Sequence, residues 1–160
     1  MGEKHTISCL VENHFGVLAR VSGLISARGF NIDSLTVSTT EDPTISRMTI
    51  VVDADTPQKL EQVKNQLGRL IDVIEVQELK EGEFIDRELL LARVNVSEQT
   101  RTELEQLAKR FGGKLADATD HSMVIEASGD TKTLDLLVEQ LRTHGITKLV
   151  RTGRVALERQ

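Results

Sequence analysis

The stretch "VENHFGVLARVSGLISARGFNIDSLTV", residues 11–37, decides how this chain folds. Two apolar, β-prone runs flank a helical pattern that opens at Gly16, with Asn13 and His14 just before it. Val17, Leu18, Val21, Leu24, Ile25 and Arg28 recur at the three- and four-residue spacing of one helix face. Gly29 stands where a helix ends. The stretch therefore reads strand, helix, strand. A turn made only for packing has no need of backbone left so open at the helix start. The alternative is that something small and anionic docks there.

Working outward, His5 to Glu12 alternates, with Ile7, Cys9 and Val11 on one face. "NIDSLTVSTT" is a second strand, "EDPT" a turn, and "ISRMTIVVDA" a third strand with Met48, Ile50 and Val52 in phase. Thr56 and Pro57 make a cap followed by a first-turn proline. The helix they open carries the stripe Leu60, Val63, Leu67, Leu70 and Ile71, and "DVIEVQEL" is a fourth strand. The order βαββαβ then repeats. "RELLLARVNV" is strand-like, and Thr100 with Glu103 forms a capping box. A helix with Leu104, Leu107, Ala108 and Phe111 follows, then the short strands "KLADAT" and "SMVIEAS". Asp130 caps a helix with Leu134, Leu137, Val138 and Leu141, and "TKLVRTGRVAL" is one final strand. The expected fold class is α+β, with two ferredoxin-like βαββαβ domains, residues 1–80 and 81–160. Each antiparallel sheet has its helices on one face. Halves this small have limited cores and leave sheet edges to cover, so a homodimer is expected.

The 160 residues are 39% hydrophobic and 28% charged, which is ordinary for a globular protein. No apolar run reaches membrane-spanning length and no charged-then-apolar leader opens the chain, so a cytoplasmic protein with no membrane partner is expected. A net charge of −5 with no Trp or Tyr and four Phe argues against nucleic acid as a partner. Cys9 lies in phase with its strand and reads as a small buried hydrophobe.

Catalytic constellations are missing. There is no phosphate loop, no G-x-G-x-x-G, no C-x-x-C and no H-E-x-x-H. His5, His14, His121 and His144 are scattered at turns and element ends, so no metal site and no cofactor are expected. The turn Asn13 to Leu18 differs. The first helical N–H groups have no internal partner and carry positive partial charge. Gly16 leaves the backbone approachable, Val17 and Leu18 add apolar surface, and Asn31 can supply an amide. Together these suit a small aliphatic amino acid. Spacing alone reads more readily as a turn that uses Asn and Gly for geometry.

"NHFGVLARVSGLISARGFNIDSLTV" resembles the opening of an ACT domain, a βαββαβ module that binds amino acids at its β1–α1 junction. "RGFNIDSLTVSTTEDPTISRMTIVV" and the tail "RTGRVAL" are similar to the small regulatory subunits of acetolactate synthase, also called acetohydroxyacid synthase. The resemblance covers nearly the whole chain. It implies a subunit that does no chemistry itself. Such a subunit activates a large catalytic subunit and makes it sensitive to feedback by valine or a related branched-chain amino acid. The thiamine diphosphate, flavin and magnesium belong to that large subunit. The effector residues implied are Asn13, His14, Phe15, Gly16, Val17 and Leu18, with Asn31 and Ile32 from the facing subunit of a homodimer. Phe15 stands where many ACT domains have proline, which bears on pocket width. The alternative is a free-standing amino-acid-sensing ACT protein acting on another enzyme or a transcription system.

Overall fold

The computed structural model describes residues 3–160. In the first half, β1 (Glu3–Glu12), β2 (Asn31–Thr39), β3 (Ile45–Ala54) and β4 (Val73–Leu79) form an antiparallel sheet of order β2-β3-β1-β4. Helices α1 (Val17–Ala27) and α2 (Pro57–Leu67) complete the βαββαβ unit. The register pairs Ile7 with Ile50 and Cys9 with Met48, so the alternating apolar residues of β1 and β3 share one face. Val17, Val21, Ile25, Leu60, Val63 and Leu67 of the helices pack against that face in one buried core. Burial pushes the Cys9 thiol up to about 12, which keeps it protonated and inert.

The second half repeats this order. β5 (Phe84–Asn95), β6 (Lys114–Ala118), β7 (Ser122–Gly129) and β8 (Ile146–Arg151) give the sheet β6-β7-β5-β8. Helices α3 (Arg101–Arg110) and α4 (Thr131–Arg142) bury Leu104, Leu107, Leu134, Leu137 and Leu141 against Leu90, Ala92, Val94, Met123 and Ile125. The chain is thus α+β with two ferredoxin-like halves. No helix among the described residues is long and apolar enough to cross a membrane.

Three local expectations need correction. Ile71 does not extend the α2 stripe: the helix stops at Leu67 and Ile71 is 94% exposed in the following turn. Thr100 does not cap α3 with its own side chain. Ser97 and Thr100 instead bond reciprocally, the Ser97 N–H donating to Thr100 Oγ1 at 2.9 Å and the Thr100 N–H to Ser97 Oγ at 3.3 Å. The final strand is broken in two, because Gly153 adopts φ +86° between β8 and β9 (Val155–Glu158), a conformation that ends an extended ladder. One compact unit runs to Ile85 and also takes in Arg154–Gln160, while the other is Asp86–Gly153. The tail is held in the first unit. Ala156 buries against Leu79 and Phe84, Arg154 lies 5.6 Å from the Phe84 ring centre, and its Nη1 donates to Thr6 Oγ1 at 2.7 Å.

The cap of α4 is as expected: Asp130 Oδ1 accepts from the Thr133 N–H at 2.7 Å. The Thr133 N–H and hydroxyl hold the Asp130 carboxyl below its ordinary value of 3.8. A lowered folded-state pKa means the stabilisation is present above the ordinary aspartate range and is lost as pH falls through the folded value. Asp130→Ala should therefore cost about 1 kcal/mol at neutral pH. The gap from the parent should close in strong acid. Denaturant unfolding followed by circular dichroism at both pH values checks this, and a gap that widens in acid would refute the cap.

Candidate functional site

The turn between β1 and α1 is built by three neighbouring segments. Asn13 is fixed twice to the β2–β3 turn, its N–H donating to the Thr44 carbonyl at 2.7 Å and its Nδ2 to the Pro43 carbonyl at 2.9 Å. Glu12 is tied to the α2–β4 turn, its N–H donating to the Asp72 carbonyl at 2.8 Å. A bulge between Leu10 and Val11 on the β4 side sets that contact. Gly16 is the N-cap of α1 at φ +82°, ψ −9°, with no side-chain cap. The left-handed backbone, not the need for an open surface, is the first reason for glycine there.

The surroundings include charges that the sequence reading did not assign to the site. Arg20, one turn into α1, folds back over the helix start. Its Nη1 lies 2.9 Å from where a Cβ on Gly16 would stand. Its Nε and Nη2 donate to Asp72 Oδ2 at 2.7 and 2.5 Å. The Asp72 side chain is only 7% exposed. His14 is not a solitary histidine. Its Nε2 lies 2.9 Å from Glu12 Oε2 and 3.1 Å from Asp72 Oδ1. The bond to Glu12, then that to the Phe15 carbonyl, raises the His14 pKa. No sequence signal pointed to Asp72, which lies 52 residues from its arginine. The one hint available was a polar residue that breaks the apolar run between Ile71 and Val73.

Of the expected effector residues, Asn13, His14, Phe15, Gly16, Val17 and Leu18 stand together on this turn. Val17 is buried in the core and contributes no surface. Leu18 is 45% exposed and Phe15 entirely so. Asn31 and Ile32 are elsewhere. Asn31 pairs with Asp53, which pairs with Lys4 at the start of β1, whereas the turn follows Glu12 at its end. At ~3.3 Å per residue, those positions are roughly 25 Å apart along the strand. Within one chain the two groups do not meet. The Asn31 Nδ2 donates to Asp33 Oδ1 at 3.4 Å, and Ile32 packs at the edge of the core.

The equivalent turn of the second unit is built differently. Ser97 and Thr100 satisfy each other's backbone N–H ahead of α3, and neither is glycine. A groove of ≈ 720 Å³ opens there among Ser97, Arg101, Thr119 and His121, with Arg101 Nη2 donating to the Thr119 carbonyl at 2.7 Å. The open face of the first sheet carries a groove of ≈ 550 Å³ lined by Thr36, Ser38, Arg47 and Leu157 among others.

Comparison with known proteins adds the family. Residues 7–75 match the model described as an AHAS small subunit-like ACT domain, and residues 87–160 the model described as the small subunit of acetolactate synthase. A probable acetolactate synthase small subunit from Archaeoglobus fulgidus is 47% identical over 156 residues, covering 98% of this chain and 97% of that protein. The acetolactate synthase small subunit of Haemophilus influenzae is 42% identical over 157 residues, covering 98% and 96%. The crystal structure of the acetolactate synthase small subunit from Thermotoga maritima superposes with a TM-score of 0.89 at 31% identity, covering 99% and 98%.

The turn's geometry makes opposite forecasts for two glycines of one helix. Gly16→Ala should destabilise the protein by about 1–2 kcal/mol, because an L-residue is forced into the left-handed region. Arg20 would also have to shift. Gly23→Ala, mid-helix and with nothing within 4 Å of the added Cβ, should stabilise by roughly 0.5–1 kcal/mol. Thermal unfolding of the two variants reads the signs. A neutral Gly16→Ala would mean the turn relaxes away from φ +82°.

Proposed function

The chain belongs to the acetolactate synthase small-subunit family, and from that membership we propose that it is the regulatory subunit of such an enzyme. It carries out no catalysis itself. It binds the large catalytic subunit, raises that subunit's activity, and conveys feedback inhibition by a branched-chain amino acid, valine foremost. The effector docks at the β1–α1 turn of a homodimer.

The observation that carries the effector site is the conjunction of cation and bare backbone at the start of α1. An effector carboxylate placed against the first helical N–H groups meets their positive partial charge. It also meets the Arg20 guanidinium, which a buried carboxylate holds in position over Gly16. Asn13 spends one Nδ2 hydrogen on Pro43, which fixes the amide and leaves its side-chain carbonyl oxygen available, suited to an ammonium. Leu18, half exposed, receives the aliphatic part. Asn31 and Ile32 can join only from a second copy, because their own chain places them at the far end of the sheet. An effector seated between two copies stabilises one dimer geometry over others. A coupling of about 1–3 kcal/mol then changes the large subunit's rate several-fold.

Gly16→Asp separates charge from backbone strain when set beside Gly16→Asn. Both impose a side chain at φ +82°, which Asn tolerates best, but only the aspartate opposes an anion and competes for Arg20. In enzyme reconstituted with a cognate large subunit, Gly16→Asp should weaken valine inhibition by roughly ten- to hundredfold, the worth of a charge-assisted bond of about 1.5–3 kcal/mol. Gly16→Asn should weaken it less, and both should still activate. The small chain alone should form no acetolactate. Equal valine sensitivity in folded Gly16→Asp and parent protein would remove the turn from the effector site. Loss of activation in both variants would make it a large-subunit contact instead.

A further inference from the structure

Three ligand-type atoms converge where β1 ends against the α2–β4 turn. His14 Nε2, Glu12 Oε2 and Asp72 Oδ1 lie within 4.8 Å of one another, two of the edges being 2.9 and 3.1 Å. Nitrogen and oxygen ligands bind zinc tetrahedrally at about 2.0–2.2 Å, so two neighbours on a common ion stand roughly 3.3–3.6 Å apart. The two edges from His14 fall a few tenths of an ångström short of that spacing, which the half-exposed Glu12 and His14 side chains can open to admit an ion.

The groups behind these atoms are arranged as supports. His14 Nδ1 lies 3.4 Å from the Phe15 carbonyl oxygen. A proton donated there leaves the Nε2 lone pair facing both carboxylates, the tautomer that a metal-binding imidazole adopts. Asp72 divides its two oxygens. Arg20 takes Oδ2 through Nε and Nη2, while Oδ1 faces His14. The Glu12 N–H on the Asp72 carbonyl ties the two carboxylate-bearing segments together. Two carboxylates against one guanidinium leave a net negative charge for a cation to meet.

We infer that Glu12, His14 and Asp72 form a binding site for a first-row divalent metal ion of the zinc type. One imidazole nitrogen and two carboxylate oxygens hold the ion, and water completes its shell on the exposed side, where Glu12 and His14 are half open to solvent. The imidazole selects against magnesium and calcium, which take oxygen ligands. The inference does not rest on amino-acid binding, although His14 is also among the effector residues that the resemblance implies. It concerns the outer rim of the same turn, and its test contains no amino acid and no large subunit.

The full chain, stripped with a chelator, is titrated calorimetrically with zinc chloride near neutral pH, and Glu12→Gln and His14→Gln are treated alike. Both residues are about half exposed, so the fold should tolerate the changes, which circular dichroism verifies. The expected result is one zinc per chain, binding weakened by about tenfold or more in each variant, and no competition from a large excess of magnesium. Cobalt in place of zinc should give a visible d–d spectrum that the His14 variant loses. Two results overturn the inference. No saturable binding by the parent chain would leave a protonated His14 bridging two carboxylates as the sense of the cluster. Binding of equal strength in both variants would place the ion at other side chains.

Discussion

Pairing of β1 on both its edges is the constraint from which the first unit follows. β1 lies between β3 and β4, and its register with β3 turns Ile7, Cys9 and Val11 to the same side as Met48, Ile50 and Val52. A slip of β1 by one residue would send Ile7, Cys9 and Val11 to the open face and bring Thr6 and Ser8, which share the open face with Thr49, into the core. Those three residues are buried as well, but on the other side, where Arg154 donates to Thr6 and Arg47 donates to Ser8 at 2.8 Å. The two faces of the sheet thus differ chemically, one apolar beneath helices and one hydroxyl-rich beneath arginine side chains. The same register decides where β1 ends. Glu12, opposite Ile45, is the last paired residue, and the turn that follows lies between the β2–β3 and α2–β4 loops.

Asp72 organises that end of the unit. A carboxylate so far buried needs partners, since a lone buried charge costs several kcal/mol. It has Arg20 on one oxygen and His14 at the other. Arg20 is half exposed, so solvent screens part of the attraction, and the pair serves position more than stability. What it positions is a guanidinium above a helix start whose N-cap has no side chain. The second unit shares the topology without this device. The turn before its α3 is braced by two hydroxyls that accept from each other's backbone N–H, with no glycine and no arginine–carboxylate pair among them. One strand order therefore supports a glycine-opened helix start in one half and a hydroxyl-braced turn in the other, and the difference rests on a few residues per turn.

Periodicity determined most of the architecture. Alternation in β1 and β3 and the three- and four-residue stripes of the helices survive in the structure almost residue for residue, because burial of one face enforces them wherever they occur. The caps at Thr56 and Asp130 were equally legible, since a cap is a contact within four residues, Thr56 Oγ1 accepting from the Lys59 N–H and Asp130 Oδ1 from that of Thr133. The turn Asn13 to Leu18 could be singled out for the same reason: its glycine and its helix start are adjacent in the chain. What the sequence did not show is everything that depends on distant segments meeting. Arg20 finds Asp72 across 52 positions, His14 acquires two carboxylates, and the tail returns through Gly153 to bury Ala156 in the first unit. The separation of Asn31 from the turn is likewise a matter of strand register, set by where β2 and β1 lie against β3. Local spacing therefore told which elements form and which face each buries. Tertiary structure alone decided which charges stand together at the end of β1, because a register fixes distances that no spacing along the chain records.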